Sequence, residues 1–61
     1  MFHILLQERI EDDFQYTSTN EVYEDIRYAQ ARVYDLNRYA ADADEYYFVM
    51  DADKVNQYIK D

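Results

Sequence analysis

Hydrophobic and polar positions alternate from the start of the chain. In "FHILLQERI" (2–10), Phe2, Ile4 and Leu6 recur at period two, and His3, Leu5, Gln7 and Arg9 fall on the other side. Period two is the pattern of a pleated strand, so a strand over about 2–9 is predicted. "EDD" (11–13) predicts a turn, and "FQYTS" (14–18) a returning strand with Phe14 and Tyr16 inward.

The period then changes. Val22, Ile26, Ala29, Val33, Leu36 and Ala40 follow one another at spacings of 4, 3, 4, 3 and 4. At 100° per residue these six lie within about 40° of one line, an apolar helix stripe. Ser18 with Glu21 three residues on has the form of a capping box, in which each side chain satisfies a backbone N–H of the first turn. Together they predict one helix over about 19–41, roughly 34 Å long at 1.5 Å per residue. Tyr23 and Tyr34 flank the stripe on one side, Tyr28 and Tyr39 on the other.

"EYYFVM" (45–50) is rich in aromatic and β-branched residues and predicts another strand. Tyr46, Phe48 and Met50 share one face, Tyr47 and Val49 the other. Asp51 is placed to cap a short final helix, "ADKVNQYIK", with Ala52, Val55 and Ile59 inward. The order β-β-α-β-α predicts an α+β fold: a small sandwich, one domain over 1–61, in which a short sheet packs on one long helix.

Composition narrows the function classes. A chain of 61 residues buries only about 60% of its unfolded surface, and the absence of cysteine removes disulfides and thiolate metal sites. The net charge is −8 and the mean hydropathy −0.75, but eight tyrosines and three phenylalanines argue for a folded chain over a disordered one. Such a small core makes a homodimer a natural way to bury further apolar surface. Glycine and proline are both absent. Phosphate-cradling loops, dinucleotide fingerprints and EF-hand calcium loops need glycine and are excluded. Turns must rest on Asp and Asn, which tolerate left-handed backbone. "ILL" in "MFHILLQ" is far too short to span a bilayer and lacks the flanks of a secretory signal, so a cytoplasmic protein is expected, in the host-cell cytoplasm if phage-encoded. The acidity argues against direct binding to nucleic acid or to anionic membranes.

Candidate chemistry is sparse. His3 is the one histidine, no serine lies near it in sequence, and Ser18 is explained as a cap. "DADE" and "DADK" open like calcium loops, then fail at Tyr46 and Val55, and lack the closing glutamate. Asp51 and Asp53 suit a helix N-terminus. No enzymatic role, cofactor or dedicated metal site is expected.

The acids are segregated. On the helix, Glu24–Arg27 and Asp35–Arg38 are spaced to pair. Elsewhere, Glu11, Asp12, Asp13, Glu21, Glu24 and Asp25 form one block without a base, and Asp42, Asp44, Glu45, Asp51 and Asp53 a second. Solubility needs only modest net charge, and like charges repel in the compact state. The tyrosines, more than this core can bury, supply rigid contact area whose faces attract Arg and Lys. Tyr28, Tyr39 and Tyr47 join the acids as candidate partner-binding residues. Carboxylates with exposed tyrosines complement the basic groove of a nucleic-acid-binding protein such as a nuclease, glycosylase, polymerase or CRISPR effector. An edge of roughly 34 Å matches about one turn of B-form DNA.

The profile (tiny, glycine-free, acidic, aromatic-rich) is similar to that of small phage-encoded inhibitors that mimic DNA. The similarity is one of composition across the whole chain. It implies a non-enzymatic inhibitor, anti-defence or anti-CRISPR in type, and transfers no site residues. The alternative is a small structural or assembly module, homodimeric through the helix stripe or a sheet edge, whose acidity serves solubility.

Overall fold

The computed structural model describes residues 1–40 and 43–59. Strands β1 (Phe2–Ile10), β2 (Asp13–Tyr23) and β3 (Glu45–Asp51) form one antiparallel sheet in the order β2-β1-β3. Helix α1 (Ile26–Tyr39) connects β2 to β3, and a 3₁₀ helix (Ala52–Gln57) follows β3. The fold is the expected small α+β arrangement. Asp51 caps the last segment as expected, its carboxylate accepting the Asp53 N–H at 3.4 Å. That segment is a single 3₁₀ stretch and not an α-helix.

Both faces of the central strand are covered, which explains why neighbours Ile4 and Leu5 are each fully buried. Directly opposed residues share a face. Leu5 pairs with Phe48 and Gln7 with both Tyr16 and Tyr46, so these aromatics lie together. Tyr58 closes over them, with ring centroids 5.2 Å from Tyr16 and 6.2 Å from Phe48. Ile4, Leu6, Tyr47 and Val49 occupy the opposite face. The helix contributes Ala29, fully buried, and half-buried Val33 and Leu36.

The start of the helix departs from expectation. The predicted capping box at Ser18 and Glu21 does not form; β2 runs on to Tyr23, and Asp25 caps α1 by accepting the Arg27 N–H at 2.9 Å. Fourteen residues make a helix about 21 Å long, not 34 Å. The misleading signal has a physical source. Between the pairs His3–Val22 and Leu5–Ser18, the single residue Ile4 faces Thr19, Asn20 and Glu21 in a bulge. Ser18 Oγ accepts the Asn20 N–H at 3.1 Å, much as a helix cap would. Thr19 Oγ1 donates to the Ile4 carbonyl at 2.8 Å and accepts the Glu21 N–H at 3.2 Å. Val22 therefore belongs to a strand and not to the stripe, and Ile26, in the first turn, is 41% exposed.

Without glycine, left-handed backbone falls on Asn20 (φ 66°) and Glu11 (φ 58°). Asn20 is of the expected residue type but lies in the β2 bulge, and the hairpin turn itself rests on Glu11, contrary to expectation. Glu11 and Asp12 form the two-residue loop between the paired Ile10 and Asp13. A positive φ at the first loop position is where hairpins favour glycine.

Candidate functional site

Strand order decides where the acids go. Glu8 pairs with Glu45, Ile10 with Asp13, and the Arg9 N–H bonds the Asp44 carbonyl at 3.0 Å. The β1–β2 turn and the start of β3 thus lie at one end of the sheet. Glu8, Glu11, Asp12, Asp13, Asp44 and Glu45 gather there, and the one base within those segments is Arg9. Its Nε donates to the Glu11 carbonyl at 3.3 Å. Because β3 begins where α1 has ended, exposed Tyr39 belongs to the same end, with the Arg38 guanidinium 5.5 Å from its ring centroid. Asp42 lies outside the described residues.

The opposite end holds the rest. Phe2 pairs with both Tyr23 and Asp51, so Glu21, Glu24, Asp25, Asp51 and Asp53 collect there. The two sequence blocks are therefore each divided between the ends. This end is partly neutralised. Arg27 binds Asp25 at 2.7 Å, and Arg32 binds Glu21 at 2.8 Å. These pairs replace the expected Glu24–Arg27 and Asp35–Arg38 pairs, because Asp25 sits at the cap and β2 runs beside the helix. The Arg32 guanidinium, with the Tyr23 hydroxyl donating at 2.9 Å, holds the Glu21 carboxyl below the usual carboxylate range. Arg27 does the same for Asp25. The Tyr23 hydroxyl is in turn pushed up by its bond to Glu21.

The tyrosines divide too. Tyr28 and Tyr39 are exposed, at 68% and 75%. Tyr47 is half-buried against the helix. Tyr34 and Tyr46, not among the expected partner-binding residues, are as open as Tyr28 or nearly so. Tyr34 flanks the stripe in the sequence, and its exposure in the folded chain is what marks it out. Glu8 was missed because its place in the acidic end depends on β1–β3 pairing, which one-strand periodicity does not reveal.

A shallow groove of about 530 Å³ runs along α1, lined by Gln30, Val33, Tyr34, Asn37 and Arg38. No carboxylate or histidine lines it, so it offers no ordinary acid–base pair. Among the described residues no three Asp, Glu or His converge to hold a metal ion, and no helix is long and apolar enough to cross a membrane. The chain matches no protein-family model, no curated protein and no solved structure.

Proposed function

We propose that this protein is a non-enzymatic inhibitor or interaction protein that presents its hairpin end, acidic and tyrosine-bearing, to the basic nucleic-acid groove of another protein. The observation that carries this reading is the convergence of Glu11–Asp12–Asp13 with Glu8, Asp44 and Glu45, six carboxylates against Arg9 and, beside Tyr39, Arg38. Crowding six carboxylates costs stability through repulsion. A lysine- and arginine-rich groove offsets that cost on binding and repels wrong partners less well matched in charge. The carboxylates stand in for phosphates, and Tyr39, with Arg38 over one face, offers the other to a cation. In a cell, such a protein acts in the cytoplasm on a nuclease, polymerase or defence effector.

The test is capture from a bacterial lysate at 50 and 500 mM salt, followed by competition with nucleic acid for each captured protein. Exposed charges are screened within about 8 Å at 0.15 M, so the partner should be released at high salt. Neutralising Glu11, Asp12, Asp13, Asp44 and Glu45 to their amides should abolish competition and leave the circular dichroism spectrum unchanged. A partner held equally at both salts, or equally by the neutralised variant, refutes the reading. Lower solubility of that variant with unaltered affinity would favour an assembly module instead.

A further inference from the structure

The two outer edges of the sheet are not equivalent. On β3, the Asn37 side chain acts as a surrogate strand: its Nδ2 donates to the Tyr47 carbonyl at 3.0 Å and its Oδ1 accepts the Tyr47 N–H at 2.8 Å. Among the described residues, none covers the β2 edge in this way. Its orientation follows from the register. The Arg9 N–H bonds Asp44 and the Ala52 N–H bonds Met1, so odd-numbered residues of β1 face β3 and even-numbered ones face β2. Asp13, Gln15 and Thr17, paired with Ile10, Glu8 and Leu6, bond inward. Phe14, Tyr16 and Ser18 direct their N–H and C=O groups to the open side.

We infer that this edge pairs with the same edge of a second copy, joining two sheets into one antiparallel six-stranded sheet centred on Tyr16. Three observations support the second copy as occupant. First, "FQYTSTN" (14–20) is free of charge in a chain with twenty charged residues, and it lies on the open edge. It also lacks the lysine, proline or inward-pointing charge with which edge strands usually resist pairing. Second, the edge is self-complementary. With Tyr16 opposite Tyr16 of the other copy, Phe14 meets Ser18, Gln15 meets Thr17 and Asp13 meets Thr19, so no charge faces a charge. The aromatic clusters of Tyr16, Phe48 and Tyr58 then become neighbours, and Phe14, 56% exposed, gains cover. Third, the accessible surface is 4831 Å², against about 4,250 Å² for a typical monomer of this mass. The excess suits a chain whose core is completed by association. This inference does not rest on the acidic reading, since the paired residues are uncharged.

The absence of cysteine allows a clean test. Gln15→Cys and Thr17→Cys, both at exposed positions, would stand opposite each other across the two-fold axis, about 4.5 Å between Cα atoms as a non-hydrogen-bonded pair. That is within disulfide reach, whereas like residues lie on the diagonal, about 7–8 Å apart. Mixed in equal amounts and mildly oxidised, the variants should yield mixed disulfide dimers in roughly tenfold excess over either homodimer, as read by intact mass. A statistical 1:2:1 mixture, or no cross-link, overturns the proposal. Ser18→Pro, which removes an outward N–H together with the Oγ that accepts the Asn20 N–H, should abolish the concentration-dependent dimer of the unmodified chain in sedimentation velocity. If Ser18→Pro fails to fold, the cross-linking ratio still decides. The dimer should tighten with salt, because two chains of charge −8 repel. Capture by a basic groove should weaken, so either idea can fail while the other stands.

Discussion

Asn37 shows how much a single side chain can settle. It fills the two hydrogen-bonding groups of Tyr47 that an edge strand would otherwise offer to any passing chain. In the sequence it is one more polar residue beside the helix stripe. Its role depends on where β3 meets α1, which no local pattern reports. Asn37→Ala removes both bonds from a half-buried site and should cost roughly 1–3 kcal/mol, at about 0.5–1.5 kcal/mol each. Urea denaturation would measure it, and a loss below about 0.3 kcal/mol would show that water replaces the amide without penalty. Asn37→Asp keeps the acceptor, loses the donor and sets a carboxylate against the Tyr47 carbonyl. It should be at least as damaging.

At the scale of elements, strands β1 and β3 were legible to within a residue or two, β1 from its alternation and β3 from its aromatic and β-branched residues. The helix was legible in its second half only. From Ala29 to Leu36 the stripe packs on the sheet; upstream, Val22 keeps the spacing while belonging to β2. Ser18 and Glu21 form their local bonds in a bulge, and a side chain that accepts an N–H two residues on does so in either setting. What overrode the helix signal was pairing: β2 extends until Tyr23 meets Phe2 at the far end of β1. The corrected register makes a sharp comparison. Ala29 has no room around it, so Ala29→Leu should cost about 1–3 kcal/mol through overpacking. Ile26→Ser, at a partly open first-turn site, should cost less than half as much in the same thermal melts. Equal losses would return Ile26 to the stripe.

Across the whole molecule, the division of acids between two ends was not legible, because it depends on the order β2-β1-β3. A chain order read one strand at a time brings Glu11 near Asp13 but not near Asp44. Acid acts on the chain in two opposed ways. Net charge falls from −8 toward zero as pH approaches the isoelectric point near 4.3, and relief of repulsion favours the compact state. Glu21 acts in the other direction. Its folded pKa is lowered, chiefly by its hydrogen bond to Arg32, so the stability it contributes is present above the unfolded glutamate value and lost as pH falls through the folded one. Asp25, lowered by Arg27, behaves alike. Arg32 is 44% exposed at its side chain, which screens the pair and keeps the effect small. Subtracting melts of Glu21→Gln from those of the unmodified chain cancels the general repulsion shared by both. The difference in Tm should be constant between about pH 6 and 7, shrink through the carboxylate range and vanish near pH 2. A difference that grows on acidification would mean that Glu21 is strained by its neighbours and not held by Arg32.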